Sequence, residues 1–519
     1  MIQGYDPRTG KPAGDPVAET PDVVVDEIAR AAAAASKEWA SEPWPTEPWP
    51  REPSPSGQWA SEPAHGEQVA DAGGGGRPAA LAAVADALDA RAAELAAVAD
   101  AETALGTGRL AGEVARTTGQ LRMFGDALAD GGYRDVIVSS GGDAAPWLGH
   151  ITRPIGPVAV FAASNFPFAF SIAGGDTASA LAAGCPVVVK AHECHPQTSV
   201  LTGQIVAEAL AGAGAPAGVF AVVHGVDAGL RLLRHPAISA AGFTGSTRGG
   251  LALAQVCAER SVPIPFFGEL GSVNPVIVLP GAAAARAGQI AAGYASSLTL
   301  GAGQFCTNPG LLFIPSSEPG LVDAVAQAVR GATGGPMLSG RIHDSYRAAV
   351  ADLARSPAVS TLASGNPGEG PWAATPQVFA TSLEHFADGL PGLAEERFGP
   401  AGLVITYTSA GDLPPVLARL GGNLAGVIHG EESSAADMAA AAPVAAALTH
   451  AVGRLVWNGW PTGVAVTWAQ HHGGPWAATT DPHYTSVGAT AIRRWLVPVA
   501  YQDFPDVLLP GPLRDRRGT

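Results

Sequence analysis

Lysine is nearly missing from this chain. Only Lys11, Lys37 and Lys190 accompany 27 arginines, and 46 acidic residues outnumber all 30 basic ones, for a formal charge of −16. With no clustered basic surface to neutralise phosphates, a nucleic-acid partner is excluded. No apolar run approaches the ~18 residues of a membrane span, which excludes a membrane partner reached by a spanning helix. Cysteine is scarce too. Cys185, Cys194, Cys257 and Cys306 form no CxxC pair and no His/Cys spacing suited to zinc, so neither a metal centre nor a disulfide framework is expected. The first residues, MIQGYDPRTG, lack the charged-then-apolar pattern of a signal peptide, and a reducing, cytoplasmic setting is the expectation. Charged residues make up 15% and hydrophobic ones 47% of 519 residues, so the chain is globular, long enough for several domains and a large core.

Against this background the exceptions stand out. Asparagine occurs six times, and Asn165, Asn274 and Asn308 fall in segments that carry other chemistry-bearing residues. A helix is predicted over 23–40. It runs into a segment, 41–78, that repeats itself: WASEP at 39–43 and 59–63, EPWP at 42–45 and 47–50, then four glycines. Proline blocks helix and ladder hydrogen bonds, so this segment reads as an inserted loop, with a proline-rich partner site as the alternative. Helical patterning resumes over 79–129, and two short strands follow at 135–139 and 148–154 around a Gly-Gly-Asp turn. From residue 157, continuous apolar strands such as PVAVFAA, PVVVK and GVFAVVHG alternate with helices. That pattern implies a parallel sheet covered on both faces. A second α/β set follows from Val276, with VNPVIVLP, GLLFIP and GLVITY as strands, and a ligand site is expected between the two domains. A last strand near the end of the chain is expected to pair with the early hairpin.

The first parallel unit lacks the G-x-G-x-x-G fingerprint of a dinucleotide loop. In its place FTGSTRGG ends a strand, with Gly245 allowing a close turn and Ser246 placed to cap the next helix, whose free N–H groups suit a pyrophosphate. A Gly-Ser helix start is by itself most often only a cap. Lys190 ends the strand VVVK at the carboxyl edge of the sheet, where open α/β sheets bind ligands, and is read as a cation serving a sugar or phosphate. Cys306, in the glycine-rich stretch LGAGQFCTNPG, is expected as an exposed loop thiol at the domain junction, whereas Cys185 and Cys257 suit buried hydrophobes. Glu269 in FFGELGS ends an aromatic-flanked strand, where burial is expected to raise its pKa toward that of a base working near neutrality; holding backbone N–H groups is the alternative. Asn165 in AASNFPFAF follows the first strand of the unit and is either an oxyanion donor or the cap of a turn.

Six motifs, SNFPF, VVVK-x-x-E, FTGS, GELGS-x-NP, GQ-x-C and EE-x-FGP, occur in an order and spacing that resemble the aldehyde dehydrogenases. From about residue 79 onward the whole chain shares the likeness, and GRLVWNGWPTGV with HHGGPWAATTDPHYTSVGA resembles the α-ketoglutaric semialdehyde (2,5-dioxovalerate) dehydrogenase branch. The resemblance implies an α/β fold of two Rossmann-like domains with parallel sheets plus a small β element for oligomerisation. Its boundaries would be 1–133 and 154–272 for the dinucleotide-binding domain, 273–478 for the catalytic domain, and 134–153 with 484–505 for a homodimer or homotetramer contact. It implies an NAD- or NADP-dependent oxidation in which the Cys306 thiolate attacks the aldehyde, Asn165 and the Cys306 N–H hold the oxyanion, and Glu269 activates the water that hydrolyses the thioester. Lys190 and Glu193 would meet the adenine ribose, Gly245 and Ser246 the pyrophosphate, Glu396 the nicotinamide ribose, and Phe398 the nicotinamide itself.

ELGS and CTNPG depart from the broader family pattern, so the substrate rests on the branch likeness. Arg153, Arg493 and Arg494 are the candidates for a substrate carboxylate, each with a surface role as alternative. Glu193 should repel a 2′-phosphate and favour NAD, with His192 and His195 available to offset it if protonated, and no arginine following it until Arg231 and Arg234. Competing readings are an NADP-dependent fatty or general aldehyde dehydrogenase, a cysteine hydrolase or acyltransferase, and an inactive binding protein.

Overall fold

The computed structural model describes residues 1–40, 76–139 and 146–516. The repeat-rich insertion and the Gly-Gly-Asp turn lie outside the described residues, apart from the insertion's last few positions, where a helix begins at Arg77.

Five parallel strands form the first sheet, in the order Phe220–Val223, Val187–Lys190, Val158–Phe161, Ala240–Thr244 and Phe266–Glu269. Its strands are apolar on both faces because both are covered. Val158, Val160, Val187 and Val189 pack under the helices Arg77–Ala90 and Thr107–Asp130, while Ala159, Phe161 and Val188 pack under Asp22–Ala40 and Val226–Arg234. Helix Gly175–Ala183 is buried along its whole length; its residues are mostly small, and its polar ones find buried partners, Asp176 in Arg494 and Ser179 in Trp495.

The second sheet has seven strands, ordered Ser360–Ser364, Gln377–Ser382, Ala401–Tyr407, Leu311–Pro315, Val276–Val278, Asn423–His429 and Val452–Trp457. All neighbours are parallel except the outer pair, Ser360–Ser364 with Gln377–Ser382. Sequence patterning identifies three of these strands. Of the other four, Ser360–Ser364 and Val452–Trp457 carry polar residues at exposed or half-buried positions and are strands by virtue of their partners, whereas Gln377–Ser382 and Asn423–His429 have apolar centres that the sequence reading misses. A separate sheet joins Leu496–Gln502 to Leu148–Pro154 to Ile137–Ser139, so the final strand pairs with the early hairpin across some 350 residues. The first hairpin strand starts at Ile137 rather than 135 because Asp135 sits at φ +49° and ends a 3₁₀ turn. At the opposite end of the cofactor-type helix, Thr247–Ala258, Ser246 is the cap: its Oγ accepts from Gly249 N at 3.2 Å.

Glu269 ends the first sheet and Val276 begins the second, so the short segment between them crosses from one sheet to the other. All of it except Gly271 is buried, and its polar groups need partners inside the protein. Two asparagines supply them. Asn423 Oδ1 accepts from Val273 N (3.0 Å), Asn274 N (3.1 Å) and Ser272 Oγ (3.3 Å). Asn274, at φ +45°, turns its carboxamide toward the cysteine loop, where Nδ2 donates to Cys306 O and Asn308 O, both at 2.9 Å. Ser272, the residue that makes ELGS unusual, donates to Asn274 Oδ1 at 2.7 Å and accepts from Leu424 N at 3.0 Å. Asn274 and Asn308 are therefore scaffolding for the loop, with Asn308 Nδ2 donating to Leu298 O and Gly303 O.

Replacing Asn274 by Ala strips Cys306 O, Asn308 O and Ala425 N of a buried partner. At ~1–3 kcal/mol for each buried group left unpaired, the loss should reach several kcal/mol and lower the thermal midpoint by many degrees. Asn366→Ala, at an exposed position, should leave the midpoint within about a degree of wild type. Differential scanning fluorimetry on the two variants checks this.

Candidate active site

The site forms where the carboxyl ends of the five-stranded sheet meet the amino ends of the seven-stranded one. Lys190, Glu269 and the segments carrying Asn165 and Ser246 follow the former; Cys306 and Glu396 precede Leu311–Pro315 and Ala401–Tyr407 of the latter. This is the crevice expected for a ligand of an open parallel sheet.

Cys306 leaves an unusual turn in which Gly301, Ala302 and Gly303 all have positive φ (57°, 55° and 71°). A side chain at Gly303 would collide with the Gly399–Pro400 peptide, so this glycine is a steric requirement of the loop. The thiol is half-buried rather than exposed as expected from the sequence. Burial, then the carboxylate of Glu269, pushes it well above the ordinary 9.0, so the resting group is a thiol and needs a base. A carboxylate oxygen of Glu269 lies within 4.8 Å of that thiol.

Glu269 corrects a second expectation. Burial does push it up, but His472 and the hydroxyl of Ser486, with the Cys306 thiol, outweigh burial and hold it below the usual carboxylate range. His472 Nε2 stands 3.1 Å from Glu269 Oε1 and 3.7 Å from Cys306 Sγ, and Ser486 Oγ donates to Glu269 Oε2. The 472–486 segment is locked onto the end of the Glu269 strand by Leu270 N→Ala478 O (2.7 Å) and Thr480 N→Gly268 O (3.0 Å). Neither His472 nor Ser486 is singled out by the sequence. The HHGG pair was visible, but only the fold brings it to a strand some 200 residues earlier.

Asn165 is buried beside the same loop, with Nδ2 donating to Gln304 O at 2.9 Å, so it is not the cap of its own turn. Its segment is held by the helix Thr107–Asp130: Arg109 Nη2 donates to Asn165 O (2.8 Å), and Glu113 Oε1 accepts from Phe168 N and Ala169 N. On the other side of Cys306, Glu396 lies against Gly271, where a Cβ would stand 2.6 Å from Glu396 Oε2. Burial pushes Glu396 up to about 7. It shares a cleft with Phe398, Phe305, Ser272 and Gly303.

Further along the edge, Lys190 forms an ion pair with Glu193. Burial pushes His192 and His195 down, so both are neutral and do not supply the offsetting charge expected of them. Arg231 is taken up by Asp26, with bonds of 2.7 and 2.8 Å. Arg341, absent from the sequence reading, lies close enough to act electrostatically on His192. The three arginines proposed for a substrate carboxylate do not serve. Arg494 is buried in an ion pair with Asp176 at 2.6 Å, Arg153 lies on the three-stranded sheet, and Arg493 is exposed on the turn before Leu496–Gln502.

Donor atoms of Glu269, Cys306 and His472 all lie within 4.8 Å of one another, a mixed set of the kind zinc accepts, although no metal is expected from the sequence. Among the described residues, no helix is long and apolar enough to cross a membrane.

A thiol, a buried ionised carboxylate and a carboxamide brought together between two Rossmann-like sheets are the arrangement of an aldehyde-oxidising enzyme of the cysteine type. The profile of the aldehyde dehydrogenase family matches residues 60–477, and the chain belongs to that family, an oxidoreductase with aldehyde dehydrogenase activity. The match begins inside the repeat-rich segment, earlier than the motifs suggest. Over 451 residues the chain is 44% identical to alpha-ketoglutaric semialdehyde dehydrogenase 2 of Azospirillum brasilense, covering 85% of each chain. It is 42% identical over 425 residues to alpha-ketoglutaric semialdehyde dehydrogenase of Acinetobacter baylyi, covering 80% of each. Among solved structures, aldehyde dehydrogenase C of Pseudomonas syringae, a C291A mutant complexed with NAD+ and octanal, superposes with a TM-score of 0.76 at 21% identity over 97% of this chain and 93% of its own. PnpE in complex with nicotinamide adenine dinucleotide gives 0.77, also at 21%, over 96% and 93%.

Alkylation of Cys306 by iodoacetamide, read at its own peptide by mass spectrometry, should rise with pH through a midpoint above 9.0. Removing the negative charge in Glu269→Gln stabilises the thiolate relative to wild type and should move that midpoint to lower pH. An unmoved midpoint would mean that Glu269 does not face the thiol.

Proposed function

We propose that this enzyme oxidises α-ketoglutaric semialdehyde to 2-oxoglutarate through a thioester on Cys306, with NAD preferred to NADP. The observation that carries the chemistry is that a buried Glu269 carboxylate, held below its usual pKa, lies within 4.8 Å of the Cys306 thiol. The substrate rests on relatives at 42–44% identity that bear its name.

Glu269 accepts the Cys306 proton, and Sγ adds to the aldehyde carbon to form a thiohemiacetal. The alkoxide oxygen accepts a hydrogen bond from the Asn165 carboxamide, whose other N–H stays on Gln304 O, and from the Cys306 backbone N–H. A nicotinamide dinucleotide bound along the sheet edge supplies the acceptor for the two electrons whose loss converts this adduct to a thioester. Glu269 passes the thiol proton to solvent and then takes one from water as the water oxygen attacks the thioester carbonyl; the C–S bond breaks, the carboxylic acid leaves, and Glu269 returns this proton to the Cys306 sulfur. His472 keeps Glu269 oriented for both proton transfers and favours its ionised form before each.

The residues fit such a cofactor. The Ser246-capped helix presents free N–H groups and an open Gly245 for the pyrophosphate, and Lys190 with Glu193 sits at the strand end for the adenine ribose. Glu396 would meet the nicotinamide ribose and Phe398, which lines the same cleft, the nicotinamide. Residues 1–133 and 154–272 form the dinucleotide-binding domain and 273–478 the catalytic domain. The three-stranded sheet, with Ile137 57% exposed on its outer strand, is the contact of a homodimer or homotetramer. Four unpaired thiols suit a reducing cytoplasm.

An absorbance assay for reduced nicotinamide, over α-ketoglutaric semialdehyde, glutaraldehyde, pentanal and decanal, should give the highest kcat/KM with the semialdehyde; a decanal preference overturns the substrate. Cys306→Ala should abolish product. Because Glu269 accepts the thiol proton as well as the water proton, Glu269→Gln should slow the first-turnover burst by roughly 10²- to 10⁴-fold and steady turnover at least as much.

Cofactor choice is read from Glu193. A carboxylate there accepts hydrogen bonds from ribose hydroxyls and repels a 2′-phosphate. Glu193→Thr should shift the kcat/KM ratio toward NADP by roughly tenfold, and an unmoved ratio removes Glu193 as the selector.

A further inference from the structure

Three donor groups of different chemistry meet where the Glu269 strand ends, with the spacing of a metal's coordination shell. His472 Nε2 stands 3.1 Å from Glu269 Oε1 and 3.7 Å from Cys306 Sγ, and donor atoms of all three residues lie within 4.8 Å of one another. A tetrahedral zinc, bonded at ~2.3 Å to sulfur and ~2.0–2.1 Å to nitrogen and oxygen, sets N and O about 3.3 Å apart and N and S about 3.6 Å apart. The two separations from Nε2 match these to within about 0.3 Å. Among the described residues this is the one set of three histidine, cysteine or acidic side chains whose donor atoms converge so closely. The HECH run at 192–195, richer in such residues by sequence, does not converge: His192 Nδ1 accepts from Cys194 N, the His195 ring faces Ser199 Oγ and Ala163 O, and Glu193 pairs with Lys190.

The donors are held in place from outside the cluster. Ser486 Oγ donates to Glu269 Oε2 and leaves Oε1 facing His472. The backbone of His472 is pinned on both sides, its N–H donating to Thr485 Oγ1 at 2.7 Å and its carbonyl accepting from Ser486 N at 2.9 Å. Glu269 and His472 are buried and Cys306 is half-buried, so a cation reaches them from the thiol side, where a fourth position stays open to water. His472 Nδ1, in contrast, is buried without a hydrogen-bond partner, and a metallated ring would carry its proton there unpaired. Histidine ligands ordinarily anchor that second nitrogen, and losing such a partner costs roughly 10- to 100-fold in affinity. The arrangement therefore suits a reversibly acquired zinc rather than a resident one.

We propose that Glu269, Cys306 and His472 form an inhibitory zinc site, in which the cation binds Sγ, Nε2 and Oε1 together and withdraws them from the oxidation. Coordination replaces the S–H bond by a Zn–S bond, and the thiol proton leaves to solvent. The nucleophile and the base are then both engaged, so turnover stops until a chelator removes the metal. A hard cation such as magnesium, which prefers oxygen donors in an octahedron, finds only one oxygen here. The loss of turnover rests on the reading of Cys306 as the group that attacks the aldehyde; the binding does not.

Isothermal titration calorimetry of zinc chloride into the whole chain, without aldehyde or cofactor, should give one zinc per chain. His472→Gln and Cys306→Ser should each weaken that binding by at least ~10-fold, since losing a ligand costs no less than losing an outer partner. Cys194→Ser, whose thiol lies outside the cluster, should bind like wild type. Undiminished affinity in His472→Gln would mean a zinc held by the thiol alone and overturns the proposal, as does the absence of stoichiometric binding to wild type. A second arm needs only the wild-type enzyme and survives a variant that fails to fold. Cobalt(II) should give the intense visible bands of a four-coordinate ion together with a thiolate charge-transfer band, and zinc should protect Cys306, but not Cys194, from iodoacetamide until EDTA is added. A weak octahedral cobalt spectrum, or no protection of Cys306, overturns the site. In the nicotinamide assay zinc should inhibit, EDTA should restore the rate and magnesium should do nothing. Unimpeded turnover with one zinc bound would overturn the inhibitory role, whereas an enzyme that binds zinc at these residues yet oxidises no aldehyde would overturn the reading of the reaction and leave the site standing.

Discussion

The constraint on which this molecule turns is the buried crossing from Glu269 to Val276. A chain that leaves one parallel sheet and enters the next through the interior carries amide groups that water cannot reach, and each must find a partner. Asn423 and Asn274 meet that need, and in doing so fasten the cysteine loop to the end of the Glu269 strand. The closeness of thiol and carboxylate is thus a by-product of satisfying backbone polarity. The same crossing explains Ser272, whose hydroxyl bridges both asparagines and a backbone N–H, a set of contacts that glycine in its place would lack.

Around this crossing the electrostatics are arranged by exclusion of water. An apolar interior penalises every charge, yet Glu269 remains ionised because a ring nitrogen and a hydroxyl face its two oxygens. Cys306, with the same burial and a carboxylate as neighbour, is kept protonated. The two groups are pushed in opposite directions by one environment, which leaves an acid and a base in contact with the proton on the sulfur. Glu396, buried without comparable donors, goes the other way from Glu269 and is held near neutrality.

The carboxyl edge of the five-stranded sheet and the chemical centre are built differently. At the edge, Ser246, Gly245, Lys190 and Glu193 belong to short contiguous motifs at strand ends, where a single βα unit determines their placement. At the centre, Asn165, Glu269, Cys306 and the pair His472 and Ser486 come from four separated segments, and the helix Thr107–Asp130 steadies one of them through Arg109 and Glu113.

That division also marks what was legible in the amino-acid sequence. Continuous valine runs between helices announce a parallel sheet covered on both sides, and glycine, serine and lysine at strand ends announce its ligand edge, because these signals depend on neighbours a few residues away. Cys306, Glu269 and Asn165 could be picked out by residue type and motif. Their charge states could not, since the pKa of Glu269 depends on His472 and Ser486, about 200 residues later in the chain. Strands such as Ser360–Ser364 and Val452–Trp457 are strands by virtue of their partners, and Arg116 and Arg454 look like any solvated helix or strand face until the 461–464 loop packs against them. Local chemistry was determined by the sequence alone; which groups share a water-free space was decided only when distant segments packed together.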